Sequence, residues 1–198
     1  MKEILMAFYP KWCEKIAMGL KTWEIRKMLP KLKPPFKVYM YMTAGYACYP
    51  VMIDGESYNL SNCGGMSVMG EFICDKIVKI LNLDTRFMAE NKDEALTNSI
   101  AIGSCLDYND MREYLKNKDG YALHISNLVI YSKTKSLREF KIKCKEYDSE
   151  NPNCEDCEYF IDNNSYERNE SDCACNGLKP ITRPPQFLYY VEALGVQI

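Results

Sequence analysis

The sequence predicts an α+β fold: a closed or nearly closed β-barrel with short peripheral helices and a small Cys-rich insertion. Three observations lead there. Short alternating, β-branched or aromatic segments recur along the chain with a few brief helical stretches between them. No strand–helix–strand rhythm of a parallel sheet is present. One late stretch, rich in Asp, Asn, Glu, Ser and Cys, has little apolar content of its own. At 198 residues with 47% hydrophobic content, the chain can bury a real core, and wholesale disorder is excluded.

The elements follow in order. Glu3–Phe8 alternates as a first strand. Pro10 suits the first turn of a helix whose apolar face is Trp12, Cys13, Ile16 and Ala17, and Gly19 ends it. Lys21–Arg26 is the second strand, with Glu24 and Arg26 on one face and Trp23 and Ile25 on the other. Pro30–Lys37 is a basic, proline-rich connection. Val38–Thr43 alternates again, placing Tyr39, Tyr41 and Thr43 together opposite Val38, Met40 and Met42. Gly45–Gly65 lacks a period and is a long loop with room for a short hairpin. Val68–Leu83 has the composition of one long strand. Thr85–Ile102 is helical around Lys92–Leu96. Asp107 is an N-cap with Leu106 and Met111 as a hydrophobic staple, and Gly120 follows that helix. Tyr121–Tyr131 and Phe187–Leu194 are the last strands. Residues 1–143 and 176–198 then form the barrel, and 144–175 the insertion.

Net charge is −2, which argues against a general polyanion binder, but the average hides a split. Met1–Met40 carries a local charge of +6 and Cys144–Cys175 one of −8. One basic face on a neutral chain fits nucleic-acid contact. No apolar run is long enough for a membrane span, and MKEILMAFYPKW lacks the pattern of a signal peptide. The expectation is a cytoplasmic protein whose ten cysteines are thiols or metal ligands.

The densest chemistry lies in Gly19-Leu20-Lys21-Thr22-Trp23-Glu24-Ile25-Arg26. A guanidinium holds a phosphate or base edge, and a carboxylate accepts from an exocyclic amine. Strand parity turns Lys21 away from Glu24 and Arg26, unless it sits in the turn after Gly19. The bland alternative is a Glu24–Arg26 ion pair at the barrel rim. This run resembles the G-x-K-x-x-E-x-R signature of the ASCH family, a branch of the PUA-like barrels. Tyr41-Met42-Thr43, Gly70-Glu71-Phe72 and the Leu123-x-Ile125-Ser126-x-Leu128 strand follow in the order that family has. Arg183-Pro184-Pro185-Gln186 before Tyr190-Val191-Glu192 is similar to its longer, phage- and prophage-associated members.

The resemblance implies RNA, or a nucleoside or nucleotide, bound in a cleft by Lys21, Glu24, Arg26, Tyr41, Thr43 and Gln186. It also implies two other readings. Some members deacylate N4-acetylcytidine with a lysine, a threonine three residues on and a later glutamate. Lys21 matches the lysine, Glu24 stands at the threonine position, and Glu71, Glu90 and Glu94 are candidates for the last; Lys21 and Glu24 would then be catalytic. The third reading is a phage-derived protein-interaction module. Outside the signature, His124 is the single histidine and lies on a candidate strand.

In the insertion, Cys154-x2-Cys157-x15-Cys173-x-Cys175 pairs two close thiol couples across a polar loop. Four thiolates suit a closed tetrahedral zinc site with no open position for water, which is structural rather than catalytic. Two disulfides, or free thiols, are the alternatives. Metal analysis of protein purified under reducing conditions should find about one zinc per chain held at about 2.3 Å by these sulfurs. Metal-free protein contradicts the assignment.

Overall fold

The computed structural model describes residues 3–45, 48–53, 56–61, 65–83, 86–143 and 178–193. Strand β1 (Glu3–Phe8) leads into helix α1 (Pro10–Ala17), followed by β2 (Trp23–Arg26) and β3 (Phe36–Met42). The stretch expected as a loop contains the hairpin β4 (Cys48–Ile53) and β5 (Glu56–Ser61). Next come β6 (Ser67–Cys74), β7 (Ile77–Asn82), β8 (Phe87–Ala89), α2 (Glu94–Ser104) and α3 (Tyr108–Leu115). Strands β9 (Gly120–His124), β10 (Ser126–Lys135), β11 (Phe140–Lys143), β12 (Leu178–Pro180) and β13 (Leu188–Ala193) complete the order.

A seven-stranded sheet runs β10-β6-β3-β1-β13-β11-β12, and a four-stranded sheet runs β2-β9-β7-β8. The barrel corners explain two differences from the sequence reading. Val68–Leu83 and Tyr121–Tyr131 were each expected as single strands, but both break. The first breaks at Asp75-Lys76 and the second at Ile125, and each crosses from one sheet to the other. The two breaks lie side by side, with His124 N–H donating to Lys76 O at 2.9 Å. A strand that bends between sheets keeps its hydrophobic composition through the bend, so composition alone does not mark the corner.

Alternation sorts the core into layers. On β1 and β3, Ile4, Met6, Phe8, Phe36, Val38, Met40 and Met42 face the barrel interior with Leu123 and Ile125 of the opposite sheet. Helix α1 closes this layer with Cys13 and Ile16. The reverse face carries Leu5, Tyr39, Tyr41, Val68 and Phe140 in a second cluster. Trp23, Ile25, Val78, Ile80 and Ala122 pack outward from the smaller sheet against Ile100 of α2 and Met111 and Leu115 of α3. Both helices begin on an Asp whose side chain accepts from the backbone: Asp93 from Leu96 N–H, and Asp107 from Asp110 N–H.

Lys143 pairs with Leu178 across β11 and β12. The described residues on either side of 144–177 therefore meet in one strand pair. Cys154, Cys157, Cys173 and Cys175, and with them the expected zinc site, lie outside the described residues.

Several buried acids hold their protons tightly. Burial, aided by the Asp75 charge, pushes the Cys74 thiol up to about 12, and burial also raises the Cys13 thiol. Burial and neighbouring carboxylates raise the Tyr39 and Tyr131 phenols. Above about pH 9 the unfolded chain gives up protons that the folded chain keeps, so these groups favour unfolding as pH rises. Burial lowers the Lys21 ammonium, which works in the opposite direction but is one group against these four and the likewise raised Tyr41 and Tyr114 phenols. The urea midpoint should fall between about pH 9 and 12, each group contributing up to about 1.4 kcal/mol per pH unit. A flat or rising midpoint contradicts this burial.

Candidate functional site

The site begins with the turn that ends α1. Gly19 has φ +71°, a left-handed conformation in which a side chain is strained. The N–H groups of Gly19, Leu20 and Lys21 then fold back onto the carbonyls of Ile16 and Lys15 at 2.9–3.0 Å. Lys21 therefore lies in the turn before β2, free of the parity that would turn it away. Its Nζ donates to Ser104 O at 2.6 Å and lies 3.4 Å from Glu24 Oε2. It also sits 4.8 Å from the centre of the Trp12 ring. Lys21 is 2% exposed, and each partner offsets part of the loss of water. Ser104 is the last residue of α2, so its carbonyl belongs to the negative end of the helix dipole.

Gly103 makes that contact possible. A Cβ there would collide with Thr22 Oγ1 and lie 2.7 Å from Trp23 Cδ1. With no side chain, the end of α2 seats against β2, and Thr22 N–H donates to Gly103 O at 2.8 Å.

On β2, Trp23 and Ile25 enter the outer core while Glu24 and Arg26 face inward. Arg26 Nη2 donates to Ala7 O at 2.7 Å, and its guanidinium lies near the rings of Phe8 and Phe187. Arg26 Nε is 2.9 Å from Glu24 Oε1. That N–H points outside hydrogen-bonding geometry, so the contact is an ion pair and Nε has no hydrogen-bond partner among the described residues. The side chains of Glu24 and Arg26 are 8% and 11% exposed. The pair is thus a buried one, not the solvated rim pair that the sequence left open.

These charges form the floor of a cleft of about 610 Å³. Tyr9, Lys11 and Trp12 of the α1 region line one side, and Asp110, Glu113 and Tyr114 of α3 line another. The Pro185-Gln186-Phe187 turn contributes a third wall. Four basic side chains (Lys11, Lys21, Arg26, Lys27) meet three acidic ones (Glu24, Asp110, Glu113), so the cleft is mixed in sign. Thr43 lines it too, and its hydroxyl is a buried oxygen without a hydrogen-bond partner among the described residues.

Of the residues singled out in the sequence, Lys21, Glu24, Arg26, Thr43 and Gln186 come together here. Tyr41 does not: it is 1% exposed in the cluster on the reverse face of the large sheet. Thr43 parts from it because β3 ends at Met42, and strand parity no longer governs the next residue. Tyr39 is turned the same way as Tyr41, and its hydroxyl donates to Glu3 at 3.0 Å. Glu71 pairs with Lys37 and Tyr131, Glu90 with Lys79, and Glu94 with Arg86, all outside the cleft lining. His124 Nδ1 lies 2.7 Å from Asp75 Oδ1, beside the Trp23 ring, and is also outside it. Sequence reasoning placed the helix that follows Asp107 but did not assign α3 to the cleft. Asp110, Glu113 and Tyr114 fall on one helical face, opposite the buried Met111 and Leu115. That polar face with one aromatic was the available signal.

The floor has unusual proton chemistry. Burial holds the Lys21 ammonium below the ordinary lysine range, and the Glu24 charge and hydrogen bond recover part of that shift. Burial raises the Tyr114 phenol. Lys21 is therefore an amine whose proton is held less firmly than usual, 3.4 Å from the Glu24 carboxylate.

No family model matches the sequence, and no curated protein matches it. Solved structures do. The ASCH protein from Zymomonas mobilis aligns over 69% of this chain and 74% of its own at 17% identity, with a TM-score of 0.48. A Tyr-to-Phe variant of that protein aligns over 69% and 77% at 16% identity, again with a TM-score of 0.48. A Ser-to-Ala variant covers 96% of this chain and 89% of its own at 14% identity, with a TM-score of 0.53. The chain has the ASCH fold. At these identities the likeness concerns the path of the backbone.

Gly103→Ala should lower stability by about 1–3 kcal/mol through overpacking at Thr22 and Trp23. In thermal melts it should be more damaging than Ala101→Gly one turn-face away on the exposed side of α2. Equal effects contradict the close approach described for Gly103.

Proposed function

We propose that the protein is an ASCH-type binding module that takes one base of an RNA, or one modified nucleoside, into the Lys21–Arg26 cleft. The observation that carries this reading is the pairing of an unsatisfied floor with aromatic walls. Thr43 Oγ1 is buried without a hydrogen-bond partner among the described residues, and Arg26 Nε, though ion-paired with Glu24, makes no hydrogen bond there; a buried polar group without a hydrogen bond is costly. Glu24 presents acceptors beside them, while Tyr9, Trp12, Tyr114 and Phe187 supply apolar surface around the same space. The edge of a nucleobase offers donors and acceptors within one plane and apolar faces on either side, which complements such a cleft. The resemblance to the ASCH family set out above implies the same class of ligand.

A second reading rests on one observation: an amine with lowered proton affinity, 3.4 Å from a carboxylate. In an amidohydrolase, Lys21 and Glu24 would move the proton between water and the leaving amine of an N4-acylated cytidine. Lys21 is, however, held by Ser104 O and Glu24 at once, which favours positioning over proton transfer. Binding is therefore the primary reading.

Binding of RNA and of nucleoside monophosphates by Arg26→Ala, measured by isothermal titration alongside a melt to confirm folding, tests the proposal. The expected loss is about fivefold to a hundredfold, the range of a base-reading guanidinium. Unchanged affinity in a folded variant removes Arg26 from the site. Release of cytidine from N4-acetylcytidine by the wild type, abolished by Lys21→Ala, would establish the enzymatic reading in its place.

A further inference from the structure

Among the described residues, three aromatic side chains stand out as exposed: Tyr9, Tyr114 and Tyr190. Two of them, Tyr9 at 67% and Tyr114 at 38%, line the same cleft. Neither ring is needed to fill the core at its position, since the neighbouring buried residues are Phe8 on one side and Met111 and Leu115 on the other. Basic groups accompany them. Lys27 Nζ lies 4.8 Å from the centre of the Tyr114 ring, and Lys11, two residues after Tyr9, places its Nζ 4.5 Å from the Trp12 ring. Exposed aromatics interleaved with lysines around one opening form a surface on which successive bases stack while phosphates meet ammonium groups.

Resting on the nucleobase reading of the cleft, we infer that its ligand is a single-stranded RNA segment rather than a free nucleoside. One base enters to the Glu24–Arg26 floor, and the bases flanking it stack on Tyr9 and Tyr114. Charge sets the path of the backbone. Asp110 and Glu113 line the α3 side and repel phosphates, whereas Lys11 and Lys27 attract them. The strand therefore runs past the two lysines, with its bases turned toward the tyrosines. A free nucleoside would use the floor and leave both tyrosines idle. A double helix cannot present an isolated base to the floor without first being opened.

The test compares a fluorescently labelled, mixed-sequence single-stranded RNA of about a dozen nucleotides, a length that covers a site of this kind, with a mixture of the ordinary nucleoside monophosphates as competitors. The oligomer should bind at least about tenfold more tightly than the monophosphates compete, and its affinity should fall steeply with salt. The paired Tyr9→Ala and Tyr114→Ala variant should lose most of that advantage, at least about fivefold. Tyr9→Phe with Tyr114→Phe should keep it, because the ring and not the hydroxyl does the stacking. Tyr9→Ala alone, at an exposed position, gives the same comparison if the double variant is poorly folded. If monophosphates compete as well as the unlabelled oligomer, or if the alanine variants keep the full advantage, the inference is overturned while the nucleobase reading stands. If wild-type protein binds neither probe, both are overturned.

Discussion

The cleft depends on a buried ammonium. Lys21 is held by the last carbonyl of α2, by Glu24 and by the face of Trp12, so it ties together the end of one helix, a barrel strand and the first helix. Removing one partner from such a group strands the others, which is why breaking a buried pair is far more damaging than losing a solvated one. Two glycines allow the arrangement: Gly19 by adopting a left-handed turn, and Gly103 by having no side chain where α2 meets β2. Once Lys21 fixes one oxygen of Glu24, the other lies toward Arg26. Arg26 is in turn anchored to Ala7 O on β1, so the floor spans both sheets.

This anchoring bears on the chemistry available. A rigid carboxylate and guanidinium side by side present a fixed donor–acceptor pattern, and fixed patterns favour recognition. The same burial that makes Lys21 rigid also weakens its hold on a proton. The binding and hydrolytic readings proposed above draw on these two features in turn. The hydrogen bond from Nζ to Ser104 O directs the ammonium toward the scaffold, which is why binding is proposed ahead of hydrolysis.

Much of this was legible in the sequence where a local rule acts alone. Alternation separated Glu24 and Arg26 from Trp23 and Ile25, and Gly19 marked the turn that releases Lys21 from strand parity. The start of β1, the proline start of α1 and the Asp107 cap followed from equally local chemistry. Rules of this kind fail where an element stops or changes partner. Parity grouped Thr43 with Tyr41, but β3 ends between them. The corners at Asp75-Lys76 and Ile125 were invisible because the residues on both sides suit strands equally well. The short strands β11 and β12 escaped because their pairing joins residues separated by the 34 positions from 144 to 177. Tyr9 and Tyr114 were overlooked as site residues for a similar reason: only the folded chain brings α1 and α3 to one opening.

A double-mutant cycle on Lys21 and Glu24 tests the central claim most directly, with urea unfolding of the wild type, Lys21→Met, Glu24→Gln and the double variant. Each single change should destabilise, because it takes from a buried charge one of the partners that offset its loss of water. The double variant should be less destabilised than the sum of the two, by a coupling of about 1–3 kcal/mol. Additive losses, with no coupling, would mean that the ammonium and carboxylate do not hold each other and that the cleft is organised by something else.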